Sequence, residues 1–169
     1  MSFPQFALPV LTVNGYLWDT MKSIDPSLSL KKNYGTSLPF FPMSDSASGA
    51  SSWENKPYFI YDRMFRITGS PFPYIKKEHI IYSLKGKEEQ TLEWGNALQY
   101  ILDRQDDSAQ DINEWNSNQT VPNEVYFHST RVLQTNPSMS RDFSNRPFYV
   151  TEFIIEAQYH LTNIEQVLS

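Results

Sequence analysis

The chain has 169 residues, with 14 Lys and Arg against 19 Asp and Glu, a formal net charge of -5, 15% aromatic residues and no cysteine. That length can bury a real core as one domain. The acidic balance argues against a protein whose main task is gripping nucleic acid by its phosphates, and the missing cysteines exclude disulfides, thiolate nucleophiles, zinc fingers and iron–sulfur clusters.

The opening MSFPQFALPV has no basic n-region and no small-residue cleavage site, so no signal peptide is expected. Pro4 and Pro9 argue for an extended arm over residues 1–10, in which Phe3, Phe6 and Leu8 would be costly to leave in water. Such an arm suits packing on a neighbouring subunit. Asn14 to Ile24 reads as a short helix: Leu17, Met21 and Ile24 recur at helical spacing, Trp18 widens the stripe, and Asp25-Pro26 ends it. Residues 35–56 read as a long Ser-rich loop anchored by Phe40, Phe41 and Trp53, and loops of that length are usually functional or ordered by a partner.

Four strands are predicted beyond it. Tyr58–Ile67 alternates, with Phe59, Tyr61, Phe65 and Ile67 on one face and Arg63 interrupting. Gly69 to Pro73 is a turn, and His79–Leu84 a second strand ended by Lys85-Gly86-Lys87. One long helix is predicted from Thr91 to Trp115, with Trp94, Leu98, Ile101, Leu102, Ala109 and Ile112 on its buried side. Glu124–Leu133 is the third strand, residues 135–147 a polar loop, and Phe148–Leu161 the fourth. That last strand carries Phe153, Ile155, Ala157, Tyr159 and Leu161 on one face, with Glu152, Glu156, Gln158 and His160 on the other. The fold class expected is α+β: a single domain over 1–169, a mostly antiparallel sheet of about four strands, a long helix on one face, long loops and the N-terminal arm.

The three histidines, His79, His128 and His160, all fall on predicted strands, but none has a close metal-ligand spacing, and ordinary strand histidines explain them. Asp103, Asp107 and Asp111 stand at i, i+4, i+8, with Glu114 beside them, so one long helix would line them up on one face. Such a face is either solvated, or meets a basic partner, or lines a channel that DNA crosses without sticking. No G-x-S-x-G, phosphate loop or dinucleotide fingerprint occurs. No catalytic residue, cofactor or metal is therefore expected, and the chain has the features of an assembly part.

Four segments then resemble a known group: Pro73–Tyr82, Leu102–Asn113, Val125–His128 and Phe153–His160. They are similar to small structural proteins of tailed bacteriophages, in particular the tail terminator, or tail-completion, proteins of contractile-tailed phages of the T4-like and cyanophage groups. The likeness spans roughly residues 55–161, and its motifs are structural. It implies a virion protein assembled in the host cytoplasm, an α+β subunit of a homo-oligomeric ring, as a hexamer, at the head-proximal end of the tail tube. Its partners would be copies of itself, the tail tube protein, and a neck, connector or sheath protein. DNA would pass without sequence-specific binding, and no membrane would be involved. In that setting Phe3, Phe6, Leu8, Phe40, Phe41 and Trp53 are the candidate oligomer interface, and Asp103, Asp107, Asp111 and Glu114 the candidate lumen or partner-facing acids. A neck or head-completion connector is the alternative in the same class. A small hydrolase built on the histidines and helix carboxylates, or a monomeric module capturing a peptide at its sheet edge, are alternatives from other classes.

Overall fold

A computed structural model describes residues 9–24, 40–42, 58–67, 75–141 and 145–162. The elements in chain order are α1 (Pro9–Ile24), β1 (Phe40–Pro42), β2 (Tyr58–Ile67), β3 (Lys76–Gly86), α2 (Gln90–Leu102), α3 (Asp106–Ser117), β4 (Val125–Arg141) and β5 (Pro147–Leu161). The strands form one sheet in the order β1-β2-β3-β5-β4. β2, β3, β5 and β4 pair antiparallel, and β1 adds a short parallel edge on β2. The fold is α+β.

The helices α1, α2 and α3 contribute to one apolar cluster with one face of the sheet. Val13, Leu17 and Met21 of α1, Leu98 and Leu102 of α2 and Ala109 and Ile112 of α3 meet Phe59, Ile80, Tyr82, Leu84, Phe127, Phe153, Ile155 and Tyr159. The opposite face carries a small second cluster of Tyr58 and Ile60 with Phe148. No helix among the described residues covers it.

The alternation of β5 holds: Phe153, Ile155, Ala157 and Tyr159 are buried towards the helices. Several other expectations change. α1 begins at Pro9, because a proline at the first helical position has no amide to satisfy and its fixed φ suits the helix. Pro9 and Val10 are buried parts of that helix, not of an arm, and Ile24 at its far end is 54% exposed. Residues 1–8 of the expected arm lie outside the described residues, as does the 69–73 turn. Within the expected loop at 35–56, Phe40–Pro42 forms β1. β2 runs over the predicted span, and its register against β3 slips between Arg63 and Arg66; the predicted facing of the Phe65 and Ile67 side chains lies outside what is described.

Two corrections shape the functional surface. The predicted long helix is two helices, interrupted at Asp103-Arg104-Gln105, where Gln105 takes φ 53°. And β4 does not stop at Leu133. It continues through most of the expected 135–147 loop to Arg141, paired along its length with β5. Pro137 is tolerated there because β4 is an edge strand. Val132 pairs with Ile155, yet its amide bonds outward to Asp103, so that pair is not a hydrogen-bonded one. Counting along β5 in twos, Phe153 and Thr151 are of the same kind, and Pro137 pairs with Thr151. Its nitrogen faces away from β5, where no ladder bond is lost.

Candidate functional site

The outer edge of β4 is closed by side chains and backbone groups along only part of its length. An edge strand presents unpaired amide and carbonyl groups, which invite another strand. Here the proximal half is closed by the chain itself. The Asn113 side chain on α3 works as a one-residue strand: its Nδ2 donates to the Phe127 carbonyl at 2.8 Å, and its Oδ1 accepts from the Phe127 amide at 2.8 Å. The Gln105 carbonyl accepts from the Thr130 amide at 3.3 Å in an isolated antiparallel bridge. Asp103 Oδ1 accepts from the Val132 amide at 2.8 Å.

This accounts for the broken helix. Ending α2 at Leu102 leaves its carbonyl without a helical partner. The buried Thr130 hydroxyl donates to it at 2.9 Å, and the Ser108 hydroxyl, 2.7 Å from that of Thr130, lies 3.3 Å away. The three interrupting residues are thereby laid along β4. Beyond Val132 no further plug is found among the described residues. Leu133 to Met139 are exposed, Leu133 by 41% and Met139 by 54%, and Tyr100 at the end of α2 is 74% exposed. Tyr100, Gln99, Asp103, Val132, Leu133 and Thr135 line a groove of about 390 Å3 where plugged edge gives way to open edge.

The helix-free face of the sheet holds a second polar feature. Glu156 on β5 pairs with His79 of β3 (3.1 Å) on one side and Arg131 of β4 (3.1 Å) on the other. Burial alone pushes its carboxyl up, but the His79 hydrogen bond and the Arg131 and Lys77 charges together outweigh that and hold it below the usual glutamate range. At one end of the same face, His128 Nε2 and His160 Nδ1 are 2.7 Å apart, and Tyr126 packs against both rings at 5.3 and 5.4 Å. The sequence reading treated these histidines as separate. A bulge between Phe127 and Ser129 turns His128 out of the regular ladder towards its neighbour, and no sequence spacing announces it. Among the described residues no group of three or more His, Cys, Asp or Glu is gathered to hold a metal ion.

The predicted interface residues scatter. Phe3, Phe6, Leu8 and Trp53 lie outside the described residues. Phe40 stacks on Phe59 at 4.3 Å with parallel rings and meets Tyr82 edge-on, so that ring belongs to the chain's own core. Phe41 occupies β1 opposite Ile60. The four acids do not share one helix face. Asp103 sits past the end of α2 as a cap on β4, and Asp111 pairs with the Arg104 guanidinium. Asp107 and Glu114 are exposed on α3, along with Asp106. Asn113 and Gln105, which close the edge, were missed because an Asn in a helical stretch carries no signal of what it faces. No helix among the described residues is long and apolar enough to cross a membrane.

No protein-family model matches this chain, and no curated protein gives a match.

Proposed function

We propose that this chain is a non-enzymatic structural subunit that associates with copies of itself into a closed ring, a hexamer, which ends the tail tube of a contractile-tailed phage. The ring docks to the neck and leaves a lumen for DNA. The observation that carries the reading is the half-closed edge of β4. The chain uses Asn113, Gln105 and Asp103 to block strand addition from Phe127 to Val132, then leaves Leu133 to Met139 open beside an aromatic-rimmed groove. A protein guarding only against aggregation would blunt the whole edge. Leaving one stretch open beside a closed one restricts where a second strand can add and in what register.

The opposite edge of the sheet is β1, a different surface. Edge-to-edge contacts between unlike surfaces are heterologous, and they close into rings when the rotation per subunit allows. Exposed Asp106, Asp107 and Glu114 on α3 would present negative charge, past which duplex phosphates slide without sticking. Tail tube and neck proteins are the partners of the two ring faces.

Native mass spectrometry and negative-stain microscopy test this on the full chain, alone and with purified tail tubes. Rings of one stoichiometry, or rings formed on the tube end, are expected. A monomer at every concentration that ignores the tubes would overturn the proposal. Removing residues 1–8, which spares α1, asks separately whether the N-terminus helps close the ring.

A further inference from the structure

We infer that His128 and His160 form a binding site for one borderline divalent transition-metal ion, zinc, nickel or copper, at the end of the helix-free sheet face. The inference is independent of the assembly reading. Two imidazoles from adjacent strands converge with His128 Nε2 and His160 Nδ1 2.7 Å apart and ring centroids 4.9 Å apart. The bulge between Phe127 and Ser129 brings His128 there, and bulges commonly re-aim a side chain at a functional position. His128, though not His160, also lines an adjoining cavity of about 380 Å3 with Asp106, Gln110, Ser129 and Gln158, whose oxygen groups stand on the His128 side of the pair.

The geometry needs little adjustment. With metal–nitrogen bonds of about 2.0–2.1 Å, two ligands at 90–110° about one ion are roughly 2.9–3.4 Å apart. The pair must open by only a few tenths of an ångström, a side-chain rotation. The protons also balance. In an N–H···N contact between neutral imidazoles only one facing nitrogen carries a hydrogen, so a single ring shifts it to its far nitrogen, Nδ1 for His128 or Nε2 for His160, and both facing lone pairs reach the ion without net proton release. Imidazole pairs favour zinc, nickel and copper over magnesium and calcium, which prefer oxygen cages.

Untagged full-length protein is titrated with Zn2+, Ni2+ and Cu2+ by calorimetry at pH 7.5, and Cu2+ is followed by electron paramagnetic resonance. One equivalent should bind, with hyperfine coupling to two imidazole nitrogens. Since losing even a supporting group costs 10–100-fold in affinity, H128A and H160Q should each weaken binding by about 100-fold or more. H79A, on the same face but paired with Glu156, should bind as wild type. Circular dichroism melts confirm that each variant is folded, and because the two variants alter different strands, one folded variant suffices. Equal affinity in wild type and either folded pair variant, or a loss in H79A as large as in H128A, would overturn the site.

Discussion

The closure of the β4 edge by Asn113 makes a quantitative prediction. Asn113→Ala removes two hydrogen bonds of 2.8 Å and leaves the amide and carbonyl of Phe127, a residue 1% exposed, without partners. Each neutral hydrogen bond contributes about 0.5–1.5 kcal/mol net, and stranding buried partners adds to the loss. Partial access of water at the edge recovers some of it, so the expected destabilisation is about 2 kcal/mol. With an unfolding entropy of about 2.1 cal/mol/K per residue, that lowers the melting temperature by roughly 6 °C. Urea unfolding should show the midpoint falling by about 1 M at unchanged m, taking m near 2 kcal/mol/M. Hydrogen exchange locates the effect, because the Phe127 amide should lose protection while the Ile80 and Ile155 amides, in the sheet centre, keep theirs. Asn113→Asp sharpens the test: it keeps the acceptor but sets a carboxylate against the Phe127 carbonyl, so it should be at least as damaging as alanine. An unchanged midpoint together with a protected Phe127 amide would refute the idea that this side chain seals the strand.

Gly95 of α2 lies over β5 so closely that an added Cβ would sit 2.8 Å from the Thr151 Cβ and Oγ1. Gly95→Ala should destabilise by about 1–2 kcal/mol in thermal melts despite its better helix propensity, and Thr151→Ala in that background should recover part of the loss. Tyr82 is fully buried, and its hydroxyl donates to Asn14 Oδ1 at 2.7 Å. Tyr82→Phe should cost about 1–2 kcal/mol in chemical denaturation, and a double-mutant cycle with Asn14→Ala should show coupling. The lowered Glu156 carboxyl contributes stability that is fully present above the unfolded-state glutamate pKa and is lost as pH falls through the folded value. Stability against denaturant from pH 7 to pH 3 should therefore fall less steeply for Glu156→Gln than for wild type, and parallel pH profiles would show that the His79 and Arg131 contacts contribute nothing.

The sequence by itself determined whatever depends on neighbours along the chain. The period-two pattern from Phe153 to Tyr159 marks a half-buried strand, because successive side chains must point to opposite faces. Trp94, Leu98, Leu102, Ala109 and Ile112 were legible as buried because helical spacing brings them to one side within each helix, and both helices pack on the same sheet face. What depends on a partner far along the chain was decided only in three dimensions. The break after Leu102 has no glycine or proline to announce it; it exists because Thr130 and Val132, more than twenty residues away, offer groups that the interrupting residues satisfy. Residues 135–141 look like loop because they are polar, yet an edge strand exposed to water needs little apolar patterning, and Pro137 meets no ladder bond there. The convergence of His128 with His160 rests on one extra residue in β4, a register event that side-chain chemistry does not encode locally. Local periodicity is written in the order of residues, whereas register and edge closure arise only when distant backbone groups meet and must find hydrogen-bond partners.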